Sequence, residues 1–147
     1  MPPSDISGLP DDLRVLVADD NVDAATSLCF LLQMLGCRTA VAYDGETAVR
    51  VSALFRPNVS FIDLDMPALD GCATLACIRA ALPEHRQVFV CLTGRSETSD
   101  RARCLEAGFH AFVSKPIEPE ALAALLATGR EFAAQAAQRT PVDEPAP

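Results

Sequence analysis

Five short runs of strand character, Leu13–Ala18, Arg38–Ala42, Val59–Asp63, Gln87–Leu92 and Ala111–Val113, alternate strictly with stretches of helical spacing. The connections between them are short. Hairpins join antiparallel strands, whereas a strand that returns through a helix runs parallel to its predecessor. Strict alternation therefore predicts an α/β domain with a parallel sheet covered by helices on both faces. Right-handed crossovers leave few topologies, and helices that must alternate faces favour a doubly wound order, 2-1-3-4-5.

Local punctuation supports the intervening helices. Asp20 or Asn21 can cap the first, whose Leu28, Leu31, Leu32 and Leu35 recur at helical spacing before Gly36 stops it. Asp44-Gly45 opens a second, in which Ala48, Val49, Val51 and Leu54 resolve to no single face, and Pro57 closes it. A third begins near Gly71 and carries Leu75, Ala76 and Ile78, with Pro83 beyond its end. A fourth spans about Thr98–Ala107 and stops at Gly108. The last has Pro119 in its first turn, where a missing donor does no harm, and a core face of Leu122, Leu125, Leu126 and Phe132. The expected organisation is a flexible leader over 1–12, one domain over 13–135 and a disordered tail over 136–147.

Composition narrows the function. Twelve Lys+Arg against 20 Asp+Glu leave a net charge of −8, and the pI is near 4.6. That balance argues against binding a nucleic-acid backbone, which needs a basic surface. No apolar run approaches the ~20 residues of a membrane span, and Met-Pro-Pro-Ser-Asp is no signal peptide, so a cytoplasmic protein is expected. Six cysteines stand singly in apolar surroundings without a Cys-x-x-Cys pair, which predicts reduced, mostly buried thiols.

The chemistry gathers at the strand ends. Val59–Asp63 runs into Asp63-Leu64-Asp65-Met66-Pro67, where proline ends any central strand. The other strands deliver Asp19 and Asp20, Thr93, and Lys115, the chain's single lysine. In a parallel sheet these residues share one rim. Three neighbouring carboxylates repel unless a cation sits among them, and an all-oxygen donor set suits Mg²⁺. A metal and an ammonium neutralise phosphoryl oxygens, the Thr93 hydroxyl donates to one of them, and a carboxylate such as Asp63 is a competent nucleophile toward phosphorus. Asp20 is the best side-chain metal ligand, Asp19 holds the metal or its water, and the Asp65 backbone carbonyl is a candidate third ligand. Taken singly, each feature has a plainer reading: Asp19 and Asp20 as helix caps, Asp63-Leu64-Asp65 as a turn, Thr93-Gly94 and Lys115-Pro116 as common loop pairs. Their convergence on one rim separates the readings.

The segments VLVADDN (15–21), LLQMLG (31–36), AYDGETAV (42–49), FRPNVSFIDLDMPALDG (55–71), VCLTGR (90–95), EAGFHAFVSKP (106–116) and IEPEAL (117–122) resemble the receiver domain of two-component response regulators. The resemblance covers residues 13 to about 128. It implies the flavodoxin-like (βα)5 fold and a phosphorylation switch whose output is a conformation, not a product. Asp63 matches the phosphoacceptor, Asp20 and Asp19 the acidic pair at Mg²⁺ (or Mn²⁺), and Thr93 and Lys115 the switch hydroxyl and lysine. Phe112 matches the aromatic that turns inward with the hydroxyl; Tyr is frequent there, so a phenolic hydrogen bond is lost. Asp70-Gly71 resembles the usual loop into the third helix. Implied partners are a histidine kinase or histidine phosphotransfer protein as donor, and a downstream protein at the face of helix 4, strand 5 and helix 5. Asp65 and Arg95 fall where the family tunes phosphoryl lifetime.

Other readings remain at this stage. After residue 135 little sequence is left for a DNA-binding or enzymatic module, so a stand-alone receiver and one excised from a hybrid kinase fit equally. A hydrolase of the haloacid-dehalogenase type also uses Asp-x-Asp, but after its first strand and with acidic ligands late in the chain. A degenerate receiver acting only as a binding module is disfavoured, because every pocket residue is present.

Overall fold

A computed structural model describes residues 13–94 and 98–142. The expected leader over 1–12, Arg95, and the last five residues of the expected tail lie outside the described residues. Strands β1 (Arg14–Ala18), β2 (Arg38–Ala42), β3 (Val59–Asp63), β4 (Val88–Thr93) and β5 (Ala111–Ser114) alternate with helices α1 (Val22–Met34), α2 (Gly45–Phe55), α3 (Gly71–Ala81), α4 (Thr98–Ala107) and α5 (Pro119–Val142). The sheet is all parallel in the order β2-β1-β3-β4-β5, as the alternation predicts.

Period-two alternation along the strands divides the core. Val15, Val17, Val59, Phe61, Val88, Val90 and Leu92 face one layer, which α1 and α5 cover with Ala25, Cys29, Leu32, Leu122 and Leu126. Leu16, Ala18, Ile62, Phe89 and Cys91 face the other, covered by Ala48 of α2, Leu75 and Ile78 of α3 and Cys104 of α4. β3 is buried at all five positions, whereas the edge strands β2 and β5 are mostly half-buried.

Three helices begin on side-chain caps that also steer the chain around the rim. Asn21 accepts from the Ala24 amide at 3.0 Å, Asp44 from Thr47 at 2.7 Å and Asp70 from Ala73 at 2.9 Å. Asn21, not Asp20, therefore caps α1. Gly36 ends that helix with φ +92°, a conformation that L side chains rarely adopt.

Two expectations need correction, and the lack of a single apolar face on α2 finds its physical reason. The buried face of α2 is made of Gly45, Ala48 and Ser52, while its largest aliphatic residue, Leu54, is 88% exposed. A small-residue seam against α3 leaves no apolar stripe in the sequence. Helix α5 continues to Val142, through the start of the tail expected from residue 136, because Glu131 to Arg139 offers alanine, glutamine and arginine with no breaker. Finally, Cys91 and Cys104 are paired as a disulfide with Cα atoms 6.5 Å apart, Cys29 and Cys37 are buried thiols, and Cys77 is exposed. Isolated cysteines carry no pairing information in sequence.

Candidate functional site

β1 and β3 are neighbours at the centre of the sheet, so their carboxyl ends release Asp19 and Asp63 side by side. Both are almost fully buried, at 1% and 5% exposure. Asp20 is exposed at the mouth, freed from capping by Asn21. Carboxylate oxygens of Asp19, Asp20 and Asp63 all lie within 4.8 Å of one another. Lys115, delivered by β5, reaches across to place Nζ 2.8 Å from Asp19 Oδ2 and 3.6 Å from Asp63 Oδ2. Its backbone amide is fixed by the Thr93 carbonyl at 2.8 Å, and the peptide to Pro116 is cis.

Thr93 is the last residue of β4 and fully buried; it follows Leu92, the register partner of Asp63. It thus lies one step beyond the Asp63 carboxylate on the adjacent strand. Asp65 is exposed, and its backbone amide donates to Asp63 Oδ1 at 3.2 Å. The Asp19 Oδ1 atom likewise accepts from the Asn21 amide at 3.0 Å. Each buried acid therefore has one oxygen tied to the backbone of its own loop, with the other turned to Lys115.

The charge balance explains what such a pocket is suited to hold. Burial, and next the charge of Asp19, push the Asp63 carboxyl from 3.8 up to about 7, with Lys115 pulling the other way. Burial alone would lower the Lys115 ammonium; its hydrogen bond to Asp19 and the charges of Asp63 and Asp19 outweigh that and raise it. One ammonium does not offset three carboxylates, and Asp63 responds by tending to take up a proton. A hard divalent cation relieves the same strain, and the donor set, all carboxylate oxygen with no thiolate or imidazole, fits one.

Gly71 and Phe112 are both singled out by the sequence, but the contacts that each makes are not. Gly71, at the start of α3, packs against the acceptor loop so closely that a Cβ would lie 2.6 Å from the Asp63 carbonyl oxygen and 2.8 Å from Leu64 Cα. Phe112 is half-buried at the edge, and the guanidinium of Arg101 on α4 sits 4.8 Å from its ring centroid. Beside the acids, a cavity of about 570 Å³ opens between α1 and the segment after β5, lined by Asp19, Asn21, Leu28, Leu31, Lys115 and Ile117 among others. Asp63 follows the third strand, not the first, which counts against the dehalogenase-type hydrolase.

No helix among the described residues is long and apolar enough to cross a membrane. The sequence pattern of the family described as "Response regulator receiver domain" matches residues 15–127. The chain is 39% identical over 104 residues to the transcriptional regulatory protein PrrA of Mycobacterium tuberculosis, which covers 70% of this chain and 43% of that protein. It is 29% identical over 119 residues to hybrid signal transduction histidine kinase K of Dictyostelium discoideum, covering 76% of this chain and 10% of the kinase. It thus spans less than half the length of these curated relatives. Among solved structures, the N-terminal domain of an uncharacterized protein from Wolinella succinogenes superposes with a TM-score of 0.75 at 29% identity, over 84% of this chain and 98% of that one. The receiver domain of AraT from Geobacillus stearothermophilus gives 0.73 at 26% identity, over 84% and 97%. The chain belongs to the response regulator receiver family, and its Asp19–Asp20–Asp63 cluster is the acidic pocket of a phosphoryl-accepting signalling switch.

Proposed function

We propose that Asp63 accepts a phosphoryl group from the phosphohistidine of a sensor kinase or histidine phosphotransfer protein, with Mg²⁺ (or Mn²⁺) held by Asp20, Asp63 and the Asp65 backbone carbonyl. The observation that carries this reading is the placement of the lone lysine 3.6 Å from Asp63 and 2.8 Å from Asp19, within a cluster of three acids. When bound, the metal neutralises phosphoryl oxygens and keeps the acceptor carboxylate ionised. An Asp63 oxygen forms the new O–P bond while the P–N bond to the donor imidazole breaks and its electron pair returns to nitrogen. Lys115 balances charge on the transferred oxygens, and Asp19 orients the lysine and the metal's water.

The Thr93 hydroxyl then donates to the phosphoryl group, and Phe112 follows it inward, shifting a two-state equilibrium. That shift is read by a protein partner at the face formed by α4, β5 and α5. Asp65 adds negative charge near the hydrolytic water and so tunes the phosphoryl lifetime.

Incubation with acetyl phosphate and Mg²⁺, followed by intact-protein mass spectrometry, tests the acceptor. Wild type is expected to gain one phosphoryl group per chain, and Asp63→Ala, folded by circular dichroism, none. Catalytic turnover of p-nitrophenyl phosphate without stoichiometric labelling would instead favour a hydrolase.

A further inference from the structure

At the end of the sheet opposite Asp63, a second cavity of about 230 Å³ lies between the end of α3, the start of β4, the residue before β5 and the face of α5. It brings together Arg79, Arg86 and both histidines of the chain, His85 and His110, with the rings of Phe89 and Phe132. No Asp or Glu is among its lining residues. In a chain of net charge −8, that is a local reversal of sign.

The polar groups are oriented by the cavity's own aromatic rings and by backbone carbonyls beside it. Arg79 stacks 5.1 Å from the Phe89 centroid and donates one Nη2 hydrogen to the Gly108 carbonyl at 3.1 Å. Arg86 stacks 4.9 Å from the Phe132 centroid. A stacked guanidinium uses its face, so its in-plane N–H donors remain available to an anion. His110 accepts the Phe89 amide on Nδ1 at 2.9 Å, which leaves Nε2–H as the donor of the neutral ring. Its ring stacks on Phe89 with planes 6° apart. His85 is anchored 2.6 Å from the Pro57 carbonyl, and the buried Gln87 by Ser60 at 2.5 Å. Two arginines stacked on aromatic rings and an imidazole donor thus share one recess with no acidic lining residue.

We propose that this cavity binds a small oxyanion, a phosphate or carboxylate headgroup, through in-plane donors of Arg79 and Arg86 with His110 as a neutral donor. Fork-shaped guanidinium donors match two-oxygen acceptors, which chloride cannot imitate. The site shares no lining residue with the acidic pocket and is independent of the function proposed there.

The test is a titration of ¹⁵N-labelled protein, followed by amide NMR, with sodium phosphate and separately with malonate, at ionic strength held constant with chloride. Saturating shifts centred on Gln87, Phe89 and His110 are expected with at least one probe, and the tighter probe identifies the headgroup. Arg86→Gln, an exposed loop substitution, and the double variant Arg79→Gln/Arg86→Gln should weaken binding, the double by about tenfold or more. Phosphate bound at the acidic pocket would shift residues near Lys115 and persist in both variants. Linear, unsaturated shifts around the cavity with both probes, or saturation unchanged in Arg86→Gln and the double variant, would overturn the proposal and leave the arginines as packing.

Discussion

The guanidinium of Arg101 on α4 lies 4.8 Å from the centre of the Phe112 ring on β5, the aromatic proposed above to follow Thr93 inward. An exposed cation–π contact contributes about 0.5–1 kcal/mol. Removing it in Arg101→Ala is expected to loosen the outward ring and shift the equilibrium toward the inward state by about two- to fivefold. Fluorine NMR of fluorophenylalanine-labelled protein reads this directly, and labelling by acetyl phosphate should accelerate in the same proportion. A ring equilibrium identical to wild type would show that Arg101 does not restrain it.

Gly71 packs directly against the backbone of Asp63 and Leu64. A Cβ there would lie 2.6 Å from the Asp63 carbonyl oxygen, and since the obstacle is backbone it cannot rotate away. Gly71→Ala is expected to cost about 1–3 kcal/mol in urea denaturation, as overpacked sites do, and to slow phosphorylation by moving Asp63. A variant as stable and as readily labelled as wild type would contradict this.

Asp63 links metal affinity to pH. In the metal-free protein its carboxyl is pushed up from 3.8 to about 7, by burial first and by Asp19 second. Between these values the folded state holds a proton that the unfolded chain releases. The resulting stabilisation is full below pH 3.8 and is lost as pH rises through about 7. A divalent cation must displace that proton, so its apparent affinity is expected to fall about tenfold per unit below pH 7 and to level off above it. Calorimetric Mg²⁺ titrations on either side of neutrality check the slope, and removing the metal with EDTA should abolish labelling.

Ser60 and Gln87 offer a control that separates stability from function. Ser60 Oγ donates to Gln87 Oε1 at 2.5 Å, and both side chains are buried. Ser60→Ala leaves an amide oxygen unsatisfied and is expected to cost about 1–3 kcal/mol. The labelled fraction at Asp63 should stay unchanged under conditions where the variant is folded.

Most of the architecture was legible because the sheet writes itself into sequence with a short period. Val59–Asp63 is apolar on both faces only because it lies at the sheet's centre, and the acids, hydroxyl and lysine appear at strand ends because that is where backbone pairing stops. The α2–α3 seam was illegible for the opposite reason. Gly45, Ala48 and Ser52 are buried by backbone proximity, which no hydrophobicity pattern encodes. Helix α5 runs past the boundary expected at residue 136 because Ala136, Ala137, Gln138 and Arg139 continue the helix-forming run, and no core-facing apolar residue marks its extent in the sequence. Arg101 over Phe112 and Cys91 against Cys104 both arise where α4 lies against the sheet, and their relative placement depends on helix rotation that spacing alone does not specify.

The depth of Asp63, at 5% exposure, has a consequence for what can approach it. A broad, flat molecular surface pressed against the rim stops at Asp20 and leaves the inner carboxylate untouched. The transfer proposed above would therefore call for a reactive group carried on a stalk, such as an imidazole projecting from a helix, or a donor small enough to enter whole. On the reading proposed above, a bulky phosphoester is therefore expected to donate to Asp63 more slowly than a small one, whatever contacts its other groups make.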